Sequence, residues 1–230
     1  PMMLAMQVGE RASQNYVLEA TNPGGHSSMP RADNAIYSLT AAIEKIRAHK
    51  FPVALNDTTR AQFAKMATLV PGIEAAAMRA IVAKPADPAA EAVLSQDPIV
   101  NATMRTTCVV TLLDAGHVEN ALPQRARANV NCRILPGETA EATLATLQRV
   151  IADPGVTVTP KGARGPIAKA PPMDPKVLGP AEALGRKYFP GVPMVPIQST
   201  GATDAIFLAA VGIPVYGVPG IRYEMDGGGI

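Results

Sequence analysis

Histidine is scarce in this chain: its 230 residues contain three, His26, His49 and His117. None lies in an H-E-x-x-H helix, no C-x-x-C pair occurs, and neither G-x-G-x-x-G nor G-x-x-x-x-G-K-[ST] is present to cradle a phosphate. No serine occupies the centre of G-x-S-x-G, the turn that presents a nucleophile in α/β hydrolases. A zinc hydrolase presents three or more ligands around an open position, and the sequence shows no cluster from which to build one.

What chemistry remains sits in loops and at element ends. His26 lies between two glycines and two serines, where backbone can approach a ligand closely; it is either bonded to Ser27 or Ser28 or turned toward a substrate. His49 falls near a helix C-terminus, which suits partial positive charge with no further purpose, and His117 either orients its loop or faces water. Asn120-Ala121-Leu122-Pro123 reads as a turn whose amide reaches a substrate or caps its own backbone. Arg133 interrupts an alternating strand just before Pro136-Gly137, and its planar donors suit a carboxylate as well as they suit an exposed strand end. Gly201-Ala202-Thr203-Asp204 follows a β-like run and precedes a helix, so either the corner only caps, through Thr203 or Asp204, or Gly201 presents its amide to a substrate carboxylate. Cys108 and Cys132 both fall in apolar alternating stretches and are expected as small buried side chains, with a single disulfide between them left open.

The elements that position these residues follow from periodicity. Residues 14–21 read as a strand with Tyr16, Leu18 and Ala20 on one face, stopped by Asn22-Pro23-Gly24-Gly25. Asp33 then caps a helix whose apolar positions Ala35, Ile36, Leu39, Ile43 and Ile46 recur at three- and four-residue steps to about His49. Residues 51–104 change to short helical pieces, 58–66 and 73–82 among them, separated by prolines, and are expected as a helical insertion. Residues 106–113 and 125–135 read as an antiparallel strand pair, 114–124 as the connection between them, with Ala126, Ala128, Val130 and Cys132 sharing a face. A second helix after Gly137-Glu138-Thr139 ends at Asp153-Pro154-Gly155, and 156–159 is a last short strand. Without the insertion the order is β-α-β-β-α-β, the ferredoxin-like arrangement, over residues 13–161. Residues 161–175 look like a connector across which few contacts form. Beyond it, a helix over 175–188, a strand over 192–198, a helix over 203–211 and a buried strand over 213–218 suggest a small parallel α/β unit.

Composition narrows the partners. Hydrophobic residues make up 47% of the chain, enough for one large core or two modest ones. The net charge of +2 arises from 21 basic and 19 acidic residues scattered without a block, so a nucleic-acid footprint is not expected. No run approaches the 18 or so consecutive apolar residues of a membrane span, and the start carries no leader pattern.

Several runs together resemble the M20 peptidases, in particular the branch of carboxypeptidase-like and N-acyl-amino-acid-processing enzymes with a long lid insertion. They are the run Asn22 to Pro30, Asn120-Ala121-Leu122-Pro123, the run Ala128 to Gly137, and Gly201-Ala202-Thr203-Asp204-Ala205 followed by the run Gly212 to Gly217. The resemblance covers nearly the whole chain through the order and spacing of these runs. It implies a parent with two zinc ions bridged by an aspartate and a water, and a glutamate as general base. His26 would be the lid histidine that stabilises the tetrahedral oxyanion, reaching into the partner's site in dimeric members. Asn120 and Arg133 would hold the substrate, the arginine at its terminal carboxylate, and Gly201 would contact it, with Ala202 where many relatives have a second glycine.

The family's first-shell metal ligands lie before the lid and in a histidine motif after the strand expected over 213–218, so none is expected in this chain, and zinc binding belongs to the parent. The expected whole is therefore an α+β fold. Residues 1–12 are a residual catalytic-domain linker and 13–161 a ferredoxin-like βαββαβ lid, with the helical insertion at 51–104. Residues 162–230 are an incomplete C-terminal part of an α/β zinc-peptidase catalytic domain. The expected parent cleaves a peptide or N-acyl amino acid beside a free carboxylate and forms a homodimer through the lid, and this piece alone is inactive. The alternative is a non-enzymatic dimerisation or small-molecule-binding module.

Overall fold

The computed structural model describes residues 3–162, 166–167 and 169–218. Where a linker is expected, the chain opens with strand β1 (Leu4–Glu10) and passes through Arg11 into β2 (Ala12–Thr21). Then come a two-residue strand β3 (Gly25–His26), helix α1 (Ala35–Ala48), and the helices α2 (Asp57–Met66), α3 (Gly72–Ala83), α4 (Pro88–Leu94) and α5 (Pro98–Met104). Strands β4 (Thr107–Ala115), β5 (Ala121–Leu122) and β6 (Arg125–Ile134), helix α6 (Ala140–Ile151) and strand β7 (Val156–Lys161) follow. Helix α7 (Pro175–Tyr188), strand β8 (Met194–Ser199) and helix α8 (Ala205–Ala210) end the described elements.

Strands β4, β6, β2 and β7, in that spatial order, form one sheet in which every neighbouring pair is antiparallel. Alternation decides its two faces. Tyr16, Leu18 and Ala20 of β2 and Ala126, Ala128, Val130 and Cys132 of β6 are buried with Leu39 and Ile46 of α1 and Leu147 and Ile151 of α6 in one cluster. Burying a side chain such as Leu18 contributes about 1.5–3 kcal/mol. The Tyr16 hydroxyl, sealed in that layer, donates to Ala140 O at 2.8 Å. The opposite face carries a polar network, in which Asn131 donates to Ser13 and Asn15 and Asn129 donates to Asn15 and Thr111, with Val109 and Leu112 exposed on β4 beside it.

The cap of α1 is Asn34, whose side chain accepts from Ile36 N at 2.8 Å, and not Asp33. Asp33 is unavailable because Arg31 and Asn22 both donate to its carboxylate. Thr139 caps α6 as its sequence position suggests, accepting from Ala142 N.

Helices α2 to α5 enclose a core of their own around Phe63, Met78, Ile81, Leu94 and Met104. Asn56 and Thr59 form a capping box at the start of α2, and Asp87-Pro88 and Asp97-Pro98 open α4 and α5 with a capping carboxylate before a first-turn proline. The insertion also docks onto the C-terminal unit. Asn56 donates to Gln198 Oε1 at 2.7 Å, Gln198 N donates to Gln62 Oε1 at 3.1 Å, and Thr58 Oγ1 donates to Val8 O at 3.1 Å.

That unit is built on β1 paired parallel to β8, with Met6, Val8 and Ala181 buried between it and α7. The strand expected over 213–218 does not form. Gln7 and Gly217 exchange two backbone hydrogen bonds of 2.9 and 3.0 Å as a single antiparallel bridge, and Ile213 and Val218 are 51% and 54% exposed. Ile213 N is tied back to Leu208 O and Pro214 has no N–H, so the segment cannot extend the ladder. The glycine-rich run that follows lies outside the described residues. Nor is the stretch after β7 free of contacts: Ile167 packs on the lid core and Met173 on the small-sheet cluster.

Cys108 and Cys132 are not free thiols. They stand directly opposite each other across β4 and β6, Cα atoms 4.1 Å apart, and are joined by a disulfide. The register that aligns them depends on a pairing the local pattern does not specify. Closing this loop limits the unfolded chain and is worth about 3 kcal/mol by chain entropy. Peptide mapping without reductant should recover a Cys108–Cys132 cross-link, and reductant should lower the urea midpoint of the lid. Free thiols in the folded protein would remove the assignment.

Candidate functional site

After Thr21 the chain reverses through Asn22-Pro23-Gly24-Gly25, and Asn22 organises the turn. Its N–H donates to Gln124 O at 2.9 Å, its side-chain oxygen accepts from Gly24 N at 2.9 Å, and its amide donates to Asp33 at 3.0 Å. Gly24 has φ +82, and a Cβ there would lie 2.9 Å from Gln124 Cγ, so no other residue fits without moving that side chain. Strands β3 and β5 then pair, Gly25 opposite Leu122 and His26 opposite Ala121, and Ser27 N donates to Asn120 O at 2.9 Å. The His26 and Asn120 loops are thereby held side by side.

The His26 ring is exposed, and Ser28 is its partner. Ser28 N–H donates to Nδ1 at 3.2 Å and Ser28 Oγ lies 2.8 Å from the same nitrogen. Arg31 closes the base of the loop, donating through Nε and Nη2 to Asp33 at 2.9 and 2.7 Å. The guanidinium, as a hydrogen-bond donor, holds the Asp33 carboxyl down at about 2.

Arg133 and Gly201 stand elsewhere. Arg133 is opposite Ser13 on β2 and Thr107 on β4, and its side chain has no hydrogen-bond or ion-pair partner among the described residues. Beside it Arg11, only 4% exposed, binds three segments at once. Its Nη1 donates to Ala102 O, Arg105 O and Thr107 Oγ1, its Nε to Thr200 O at 3.2 Å, and its backbone N–H is shared between Ser199 O and Gly201 O. No carboxylate is among these partners. Burial first, and then the like charge of Arg133, lower the Arg11 pKa to about 10, so it remains charged at neutral pH.

The Gly201 amide is not free, since it donates to Ser199 Oγ at 3.2 Å. A Cβ at Gly201 would meet only Ser199 Oγ at an ordinary 3.7 Å, so nothing within the described chain requires glycine there. Thr203 rather than Asp204 supplies the side-chain bond at the start of α8, accepting from Ala205 N. Thr203 N and Oγ1 also donate to Glu10 Oε2 at 2.8 and 2.7 Å, which fixes the corner to the end of β1.

The four residues singled out in the sequence therefore fall into two pairs. In the β2–β6 register Thr21 faces Arg125 while Ser13 faces Arg133. Eight residues of extended strand, about 26 Å, separate the end that carries the His26 loop from the end that carries Arg133. Arg11, Asn22, Asp33 and Glu10 hold these pairs in place, and of the four only Asn22, which opens the run Asn22 to Pro30, lies in a motif that marks it. Of the other histidines, His117 is exposed, whereas His49 lies edge-on to Phe51 with ring centroids 4.9 Å apart. Burial and then Arg149 lower the His49 pKa, which argues against a charged role at its helix end. Among the described residues no group of three or more His, Cys, Asp or Glu comes together to hold a metal ion, so the two zinc ions implied by the sequence resemblance have no ligand set here.

Residues 8–159 match the family described as the peptidase dimerisation domain, M20_dimer. The chain belongs to the M20 family of metallopeptidases and amidohydrolases. It is 29% identical over 215 residues to the human N-fatty-acyl-amino acid synthase/hydrolase PM20D1, covering 91% of this chain and 42% of that protein. It is also 29% identical over 155 residues to the probable carboxypeptidase S-like 2 of Dictyostelium discoideum, covering 66% of this chain and 29% of that one. In fold it is similar to the M20 family metallo-carboxypeptidase Sso-CP2 of Sulfolobus solfataricus, with TM-score 0.60, 15% identity, and coverage of 94% of this chain and 52% of that one. The chain thus spans under half the length of the curated relatives it matches.

Because Arg31 depresses the Asp33 carboxyl, the tether is present above the ordinary carboxylate range and is lost as pH falls through about 2. Asp33→Ala should accelerate amide exchange at Ser27, corrected for intrinsic rates, between pH 5 and pH 8 while β2 and β6 stay protected. Unchanged Ser27 exchange would show that β3–β5 pairing alone holds the loop.

Proposed function

We propose that the parent protein is an M20-type amidohydrolase that cleaves an amide or peptide bond next to a free carboxylate, acting on N-acyl amino acids or peptides. The similarity to a fatty-acyl-amino acid hydrolase and to a carboxypeptidase S-like protein supports the substrate class. In this reading residues 13–161 are the ferredoxin-like lid and the catalytic metals, zinc, are held by residues other than those described. The steps left to this chain belong to its own groups. His26 donates a hydrogen bond to the oxyanion that develops on the carbonyl, Asn120 holds the substrate beside it, and Arg133 pairs with the terminal carboxylate. Gly201 contributes close approach rather than a free N–H.

The separation of the two pairs carries the second half of the proposal. A scissile amide and its neighbouring carboxylate are only a few bonds apart, so one substrate cannot span about 26 Å of sheet. Each site is therefore completed by two chains: Arg133 and Gly201 from one subunit, His26 and Asn120 from its partner.

In the full-length parent, His26→Ala should lower kcat by about 10² to 10³ with zinc content unchanged, the effect of losing one oxyanion donor. Near-normal turnover would remove His26 from the mechanism. Mixing the His26→Ala and Arg133→Ala variants should restore activity in heterodimers, because one of their two sites then receives both intact groups. No recovery after confirmed subunit exchange would mean that each lid serves its own catalytic domain.

A further inference from the structure

We infer that Ser28 is a positioning residue that sets the tautomer of His26, fixing the ring proton on Nε2 and the lone pair on Nδ1. The inference rests on the reading of His26 as the oxyanion donor and adds how its donor atom is chosen. A neutral imidazole has one N–H and one lone pair, and it can stabilise a developing negative charge only through the nitrogen that carries the proton. Which nitrogen that is depends on what the other one meets.

Here the other nitrogen meets a group that cannot change roles. The Ser28 backbone N–H, 3.2 Å from Nδ1, is a donor in every state of the loop and so favours a lone pair on Nδ1. With Nδ1 an acceptor, the Ser28 hydroxyl at 2.8 Å, free to rotate, donates as well. Two donors on one nitrogen disfavour a proton there and leave it on Nε2, which has no partner among the described residues.

The local chain makes this geometry. Met29 N donates to His26 O at 3.0 Å and closes a tight turn that brings Ser28 back to the His26 ring. The backbone of His26 is pinned through β3–β5 pairing, so the ring direction follows from that turn. The two serines are not equivalent: Ser27 N–H is committed to Asn120 O and fixes the loop, whereas Ser28 addresses the ring.

His117 provides an internal comparison, because it is exposed and its ring makes no hydrogen bond among the described residues. In the chain labelled with ¹⁵N-histidine, long-range ¹H–¹⁵N correlation at a pH where the rings are neutral should show His26 with a pyridine-like Nδ1 and a pyrrole-like Nε2. His117 should show the averaged pattern of two tautomers. Ser28→Ala, which removes the hydroxyl and keeps the backbone N–H, should move the His26 pattern part of the way toward that of His117, and Ser28→Thr should return it. In the zinc-loaded parent, Ser28→Ala should lower kcat about tenfold with KM and zinc content unchanged, and Ser28→Thr should recover most of the loss. A proton on Nδ1 in the wild-type chain, a ring pattern that ignores Ser28→Ala, or a shifted pattern with unchanged kcat would each overturn the inference. If His26→Ala leaves turnover intact while the ring pattern responds to Ser28, it is the role of His26 that fails and not the tautomer.

Discussion

A buried guanidinium must find acceptors for its donors or destabilise the fold, and Arg11 finds them in backbone carbonyls rather than in a carboxylate. That choice gives it its reach, because carbonyls can come from any segment that passes nearby. The last turn of the insertion, the start of β4 and the corner after β8 all converge on this one side chain at the junction between β1 and β2. Thr58 and Asn56 add bonds from the insertion to Val8 and Gln198 on the same side. The four-stranded sheet, its helical insertion and the small parallel sheet are therefore tied together around this side chain, close enough to Arg133 for the two charges to interact.

The opposite end of the sheet is organised differently. There, short side chains and backbone hydrogen bonds shape a loop that is exposed: Asn22 sets the turn, Asp33 closes its base and β5 supports its far side. A strongly held framework thus stands at the Arg133 end and a loop of small local tethers at the His26 end, an asymmetry that suits the two roles proposed for them. The antiparallel sheet between them, with one face packed and the other carrying the asparagine network, sets the distance between the two ends.

Much of this arrangement can be read locally. The helix periods over α1, α2, α3 and α7 and the alternation of Tyr16, Leu18 and Ala20 appear in the structure within a residue or two of where pattern places them. What local pattern lacks is pairing between distant segments. Cys108 with Cys132, His26 with Asn120 and β1 with β8 are each juxtapositions that only the assembled sheet creates. Residues 213–218 show the converse failure, since an apolar run reads as a strand whether or not an edge is free to receive it; here Pro214 and the tie to Leu208 prevent the ladder. Arg11 escapes notice for a related reason, because carbonyl acceptors leave no trace in composition.

The parallel pairing of β1 with β8 bears on the order in which the molecule assembles. It joins residues about 190 positions apart, Leu4 opposite Met194, with the lid and insertion lying between them in the chain. In an unfolded chain that closure carries the entropy of one very long loop, a cost not offset until the whole ladder forms. Once β2, β6 and β7 have folded with α1 and α6, the ends of that unit emerge close together and the remaining search is short. Folding should accordingly run from the middle of the sequence outward, the lid forming as a nucleus and the strands on either side of it meeting last.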